Sequence, residues 1–314
     1  SEEMLAEVRS RLARIKVDGV LESGLVEEYI QDIPVTIFPL VFRTERPDRV
    51  ISCLLEGKAA ILTDGTPFAL VVPTQFIKLL EAPDDYYEGA LIGSLTRWLR
   101  YLSYLSSVLL PGFYVAVVNF HQELIPTTLL LRITASREGL PFPVVVEALM
   151  MEFAFEVLRE AGIRLPRAIG PAISIVGALI LGEAAIRAGI VSPVMIIVVA
   201  LTAIASFTVP VFSIGISARI LRFLFIGLGG AFGLFGIQTG IILALIHLCS
   251  LRSFGIPYFS PIGPLILQDW KDTYIRMPWW GMTTRPKLLG FREPRRARPG
   301  QRPGPQRRRE DDHD

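Results

Sequence analysis

The amino-acid sequence predicts a mostly α-helical polytopic membrane protein with a small N-terminal α/β soluble domain. Three observations predict it. Of 314 residues, 51% are hydrophobic and 20% charged, below the roughly 25% charge of soluble domains, and the mean hydropathy is +0.46. Charge is also uneven: 188–218 carries none, and 223–251 none apart from His247. Residues 1–97, by contrast, mix charged and apolar residues as a soluble domain does. Two cysteines, Cys53 and Cys249, exclude a disulfide scaffold and a multi-cysteine metal site, and the three histidines are too scattered for ligand spacing. No cofactor or metal is called for.

The first domain is expected over 1–90. Leu5, Val8, Leu12 and Ile15 share one face of a helix over Glu2–Lys16, and a second helix is expected at Leu25–Ile30. Thr36–Phe42 is β-branched and aromatic and predicts a buried strand. Pro47 suits the first turn of a helix to Leu55. Ala59–Thr63 and Pro67–Val72 flank Asp64-Gly65, a strong hairpin signal. Thr74–Leu80 closes the unit as a helix. Gly57-Lys58 lacks the spacing of a phosphate-binding loop.

The membrane domain is expected over 91–284, with four spans near 98–118, 168–189, 190–212 and 223–251. Trp98, Tyr101 and Tyr104 suit an interfacial belt, and Pro111-Gly112 predicts a kink in the first span. Residues 143–161 read as an interfacial or re-entrant amphipathic helix, with Glu152, Glu156, Arg159 and Glu160 on one narrow face and Glu147 nearly opposite. Residues 253–268 hold Pro257, Pro261 and Pro264 and predict a broken segment, buried or interfacial. Residues 285–314 carry ten Lys and Arg against five acids and predict a basic, disordered tail near anionic lipid, not a nucleic-acid arm. Four spans put both termini on one side, and the basic tail with Arg97 and Arg100 makes that side cytoplasmic. Arg219 and Arg222 conflict with this, because they would face out. The chain begins at Ser1 without Met or a signal-peptide pattern, so a fragment or processed product is expected.

Glu147 on an apolar face is costly unless paired or wetted. It either touches a neighbouring subunit or ion pathway, or pairs with an arginine such as Arg132 or Arg164. Glu183 and Arg187, four apart, form either a helix-end ion pair or a pore mouth, with Val176 and Ile180 continuing their face. These four are the candidate pore-lining residues. Gly229, Gly233, Gly236 and Gly240 form a stripe that packs a helix within or between subunits. No HExxH or GxSxG is present, and no constellation supports an enzyme.

Several long blocks are family-like. TERPDRV and LLEGKAAILTDGTPFALVVP resemble the soluble domain of GerA-type spore germination proteins, the A subunits of germinant receptors. FHQELIPTTLLLRITASREGLPFPVVVEALMMEFAFEVLREAGIRLPRAIG, IVSPVMIIVVALTAIASF, HLCSLRSFGIPYFSPIGP, KDTYIRMPWW and RPKLLG resemble their membrane part. A block expected to read GQAAVEAG reads GEAAIRAG at Gly182–Gly189. The resemblance implies a protein of the spore inner membrane with a further soluble subdomain upstream. It also implies a homo-oligomeric ring that conducts ions when nutrient is sensed, together with a transporter-like B subunit and a lipoprotein C subunit. The alternatives are a secondary transporter or lipid-handling protein using 253–268, and a paralogue without a nutrient ligand.

Overall fold

The computed structural model describes residues 2–164, 170–289, 295–297, 301 and 303, with backbone alone for 170–176, 178 and 179. Most of the expected tail and the start of the expected second span lie outside the described residues. The described chain is mostly helical and divides into two compact units.

Unit 1 begins with α1 (Glu2–Ala13) and α2 (Ser23–Ile30), followed by β1 (Phe42–Thr44), α3 (Pro47–Leu55), β2 (Ala59–Leu62) and β3 (Ala69–Val72). The three strands form an antiparallel sheet in the order β1-β3-β2, with Phe42 opposite Val71 and Ile61 opposite Leu70. Gly65 takes φ +84° in the β2–β3 connection, a conformation that glycine adopts without strain. The hairpin at Asp64-Gly65 therefore forms, with residues 63–68 as its loop. The expected strand at Thr36–Phe42 is displaced: strand pairing starts at Phe42, and Val35–Pro39 belong to unit 2. Short helices α4 (Phe76–Leu80) and α5 (Asp84–Tyr87) lead into α6 (Ala90–Phe120).

The described residues from Leu251 onward group with unit 1, so the compact units differ from the division at 90 and 284. The broken segment is a strap of unit 1. β4 (Arg252–Ser253) and β5 (Ile256–Pro257) pair around Phe254, whose ring joins Val8, Ile30, Leu70 and Val72 in the core. Ser253 Oγ accepts from the Thr74 amide at 2.9 Å and donates to the Leu40 carbonyl at 2.7 Å, and the Phe76 amide donates to the Tyr258 carbonyl at 2.8 Å.

Unit 2 holds Leu99–Ser250 and Val35–Pro39. After α6 come α7 (Thr127–Arg137), α8 (Val144–Arg164), α9 (Gly170–Arg187), α10 (Pro193–Phe207) and α11 (Phe212–Ser250). Among the described residues, α6 and α11 are long and apolar enough to cross a membrane, and α10 is a shorter apolar helix. Tyr104 is buried, unlike a residue of an interfacial belt.

α11 is not one straight helix. Gly233 has φ 62° and ψ −144°, outside the helical region. A Cβ on Gly236 would strike the Leu228 carbonyl, and one on Gly240 would lie 2.8 Å from the Phe225 ring. Residues eight and fifteen apart would lie roughly 12 and 22 Å apart along a straight helix. The chain therefore reverses at Gly233 into two antiparallel arms, 212–232 and 234–250. This corrects the expected single span over 223–251.

The helices of unit 2 alternate between two ends. Gly233 at the reversal meets Phe120 and His121, where α6 finishes, and Gly230 meets Val145 at the start of α8. Ser192, which caps α10, bonds Glu147 at that same end. At the opposite end Arg159 of α8 reaches Ser206 of α10, while Ser217 and His247 of the two arms meet Ile37 and Phe38. α8 packs against α9, α10 and α11 and is the central helix of the unit.

Candidate functional site

α8 was expected to turn its charges towards headgroups, and the structure corrects this. Glu152 is fully buried and pairs with Arg222 Nη1 at 2.6 Å, while Arg222 Nε donates to the Ser107 carbonyl at 2.7 Å. Glu156 pairs with Arg219 at 3.2 Å and Arg159 at 3.3 Å, and Arg159 also reaches Ser206 Oγ at 2.8 Å. Glu160 alone of the four stays well exposed, paired with Arg164 at 2.6 Å. A charge in an apolar interior persists only when paired and hydrogen-bonded. These partners come from α6, α8, α10 and α11, so the cluster ties four helices together. Arg219 and Arg222 are thus ion-pair partners within α11 and not loop charges.

Glu147 has no exposed surface. Its Oε1 pairs with Arg137 Nη1 at 3.0 Å, and its Oε2 accepts from the Ser192 amide at 3.3 Å and hydroxyl at 3.2 Å. The partner is thus Arg137 of α7, not Arg132 or Arg164. Both contacts lie within one chain and fix the α7–α8 turn to the start of α10.

The expected pore-lining residues lie on α9. Val176 falls outside the residues whose side chains are described. Ile180 is 60% exposed, and Glu183 and Arg187 pair at 2.5 Å with their side chains 57% and 78% exposed. Gly182, on another face, packs towards Ile196 of α10. The described face thus points away from the subunit's own core. The glycine stripe has the opposite character. Gly229 lies against the Gly112 carbonyl of α6, and Gly236 and Gly240 sit between the two arms of α11. The stripe packs helices inside the subunit.

Unit 1 holds a polar cluster that sequence reasoning missed. Lys78 Nζ meets Glu81 at 2.9 Å, Asp272 at 3.2 Å and Glu56 at 3.5 Å. Tyr86 donates to Asp272 at 2.8 Å, and Arg97, expected as an exposed basic flank, is fully buried between Asp85 at 3.3 Å and the Asp272 carbonyl at 2.6 Å. Burial alone would raise the Asp272 pKa, but Lys78 and Arg97 outweigh it and hold the carboxyl below its usual range. Burial raises Glu81, despite the same two cations. A cavity of about 60 Å³ opens beside Asp272, lined by Glu56, Lys78 and Asp269 among others. The available signal was the acid in KDTYIR, which lies some 190 residues from its partners and has no local periodicity to reveal it. Among the described residues, no group of three or more His, Cys, Asp or Glu could hold a metal.

Comparisons with known proteins agree on one family. The family model described as Bacillus/Clostridium GerA spore germination protein matches residues 1–288. The chain is 52% identical over 304 residues to spore germination protein KA of Bacillus subtilis (strain 168), covering 97% of this chain and 56% of that protein. It is 51% identical over 283 residues to the uncharacterized membrane protein YfkQ of the same organism, covering 90% and 55%. It is 49% identical over 286 residues to spore germination protein GerLA of Bacillus cereus, covering 91% and 58%. The chain thus spans little more than half the length of these relatives. No solved structure matches it.

Proposed function

Because this chain belongs to the Bacillus/Clostridium GerA spore germination protein family, we propose that it is the membrane part of a spore germinant receptor subunit. In this reading it assembles with copies of itself into a nutrient-gated ion channel of the spore inner membrane. Its partners are a transporter-like B subunit and a lipoprotein C subunit.

The observation that carries the reading is the reversed polarity of unit 2. Glu147, Glu152 and Arg222 are fully buried, while Ile197, Leu201, Phe207, Ile220 and Phe235 are exposed. A water-soluble bundle does the opposite, whereas helices in lipid turn charges inward and aliphatic residues outward. On the alternating path of the helices, α6, α8, α9, α10 and the two arms of α11 make six passes, which returns both termini to one side. Two exposed ion pairs depart from this polarity, Glu160–Arg164 at the end of α8 and Glu183–Arg187 at the end of α9. Such a pair normally faces water or protein, and a closed ring of copies would turn Glu183–Arg187 towards a shared axis. Ile180 would then form an apolar ring able to gate by dewetting.

Ion flux into liposomes tests this. The account expects Ile180→Ser to raise leak without nutrient, because a polar ring wets more easily. It also expects the chain to run as a closed ring in mild detergent. A monomer whose leak does not change on substitution contradicts the channel. A second reading is a membrane paralogue without a nutrient ligand; the chain is also similar to the uncharacterized membrane protein YfkQ. In that case flux would not respond to any nutrient, while oligomerisation would persist. The transporter reading rests on 253–268, which groups with unit 1; substrate uptake without ion leak in the same liposomes would favour it.

A further inference from the structure

We propose that unit 1 carries a docking ridge for the anionic headgroup layer of the bilayer, built from the first turns of α6 and the stretch Trp270–Lys287 beside them. The inference rests on the membrane reading of unit 2 and extends it to a surface outside the bundle.

The geometry starts at α6. At 100° per residue, Leu91, Leu95 and Trp98 fall within an arc of about 60°, and Leu91 and Leu95 are 85% and 71% exposed. Ser94 and Arg97, on another side of the helix, grip the C-terminal stretch. Ser94 Oγ accepts from the Arg276 amide at 3.0 Å, and Arg97 donates to the Asp272 carbonyl at 2.6 Å. This clamp stacks Tyr274 on Trp98, with ring centroids 5.8 Å apart, and sets Trp270 edge-on to Tyr274 at 5.1 Å. Ile275, between the two clamped positions, is 57% exposed. Trp279 packs one side against Tyr86 and the Arg276 guanidinium and keeps half its surface open.

Charge in the stretch is sorted by depth. Asp272 is drawn inward by Lys78 and Arg97, and Asp269 accepts from the Lys287 amide at 3.3 Å. Lys271, Lys287 and Arg295 face outward. Aliphatic residues, aromatic rings and outward cations together suit the boundary between acyl chains and anionic headgroups. Continuity identifies the occupant: α6 runs unbroken from Leu91 into its apolar window, so lipid that covers the later turns reaches the first.

The test uses the full chain in nanodiscs of phosphatidylcholine with or without phosphatidylglycerol, brominated near the headgroup end of the acyl chain. Single-tryptophan variants keep Trp98 or Trp279, the other tryptophans being changed to Phe. A reference variant carries Leu224→Trp, on the exposed face of α11, in a tryptophan-free background. Emission of Trp98 and Trp279 should fall relative to unbrominated discs, more so with phosphatidylglycerol. Adding Lys271→Glu with Lys287→Glu should remove the phosphatidylglycerol effect without changing the reference. Quenching of the reference with none at Trp279 would mean that the ridge stands off the bilayer, leaving the membrane reading intact and the docking proposal overturned. No quenching at any position would overturn the membrane reading as well. Equal quenching of Trp279 in neutral and anionic discs would overturn the anion preference. On the unsubstituted chain, adducts of a photoreactive phosphatidylglycerol within 271–287 support the proposal, and adducts confined to unit 2 overturn it.

Discussion

Glu147 and Glu160 stand on the same helix in opposite surroundings. Glu147 is buried with Arg137 and Ser192, whereas Glu160 faces outward with Arg164. Removing one partner of a buried pair strands the other, at a cost of about 3–5 kcal/mol. An exposed pair contributes about 1 kcal/mol or less. Glu147→Ala should therefore lower the unfolding midpoint in detergent markedly, and Glu160→Ala should leave it nearly unchanged. Equal small shifts would refute the contrast. In unit 1, burial raises Glu27 to about 7, against the pull of Arg43. Its folded pKa lies above the unfolded one, so the folded state binds more protons between about pH 4.5 and 7. Stability is favoured below that window and falls as pH rises through it, by on the order of 1–3 kcal/mol. Glu27→Gln should flatten this dependence and slow amide exchange in β1–β3 at neutral pH. An unchanged pH profile would refute the assignment.

The reversal in α11 depends on backbone geometry at one position. Gly233 occupies a φ/ψ combination closed to other residues, at a cost of about 1–3 kcal/mol if forced. Gly227, with open space around its Cα, supplies the comparison. Gly233→Ala should destabilise the bundle in detergent, and Gly227→Ala should not. Matching midpoints would mean that the arms do not depend on the turn. This element also shows what was legible in the sequence. Asp64-Gly65 between two apolar runs announced its hairpin, because turn chemistry is local. The glycine spacing in α11 fits a continuous helix as well as a folded one, so the stripe predicted close packing without revealing the reversal. The charged face of α8 was read correctly as a face, but its direction was not. Its partner Arg222 lies 70 residues from Glu152, and helical periodicity does not say whether a polar stripe meets water or another polar stripe. The α9 residues were legible as exceptions to an apolar helix, but their exposure needed the packing of α8 and α10 to be known.

At the scale of the whole molecule, the proposed channel has six passes fastened by buried ion pairs, with Ile180 and Glu183 of α9 turned to a water-filled axis shared by several copies. Cysteine accessibility coupled to ion flux tests this most directly. Cys53 is buried and Cys249 exposed, so Cys249→Ser clears the background. Ile180→Cys and Glu183→Cys are then compared with Gly229→Cys and Gly236→Cys in proteoliposomes. The account predicts that a water-soluble thiol reagent labels positions 180 and 183 and reduces flux as it does so, while 229 and 236 stay protected between helices. Labelling of 180 and 183 by a lipid-soluble reagent alone, with flux unaffected, would place that face of α9 in the acyl chains and contradict the channel.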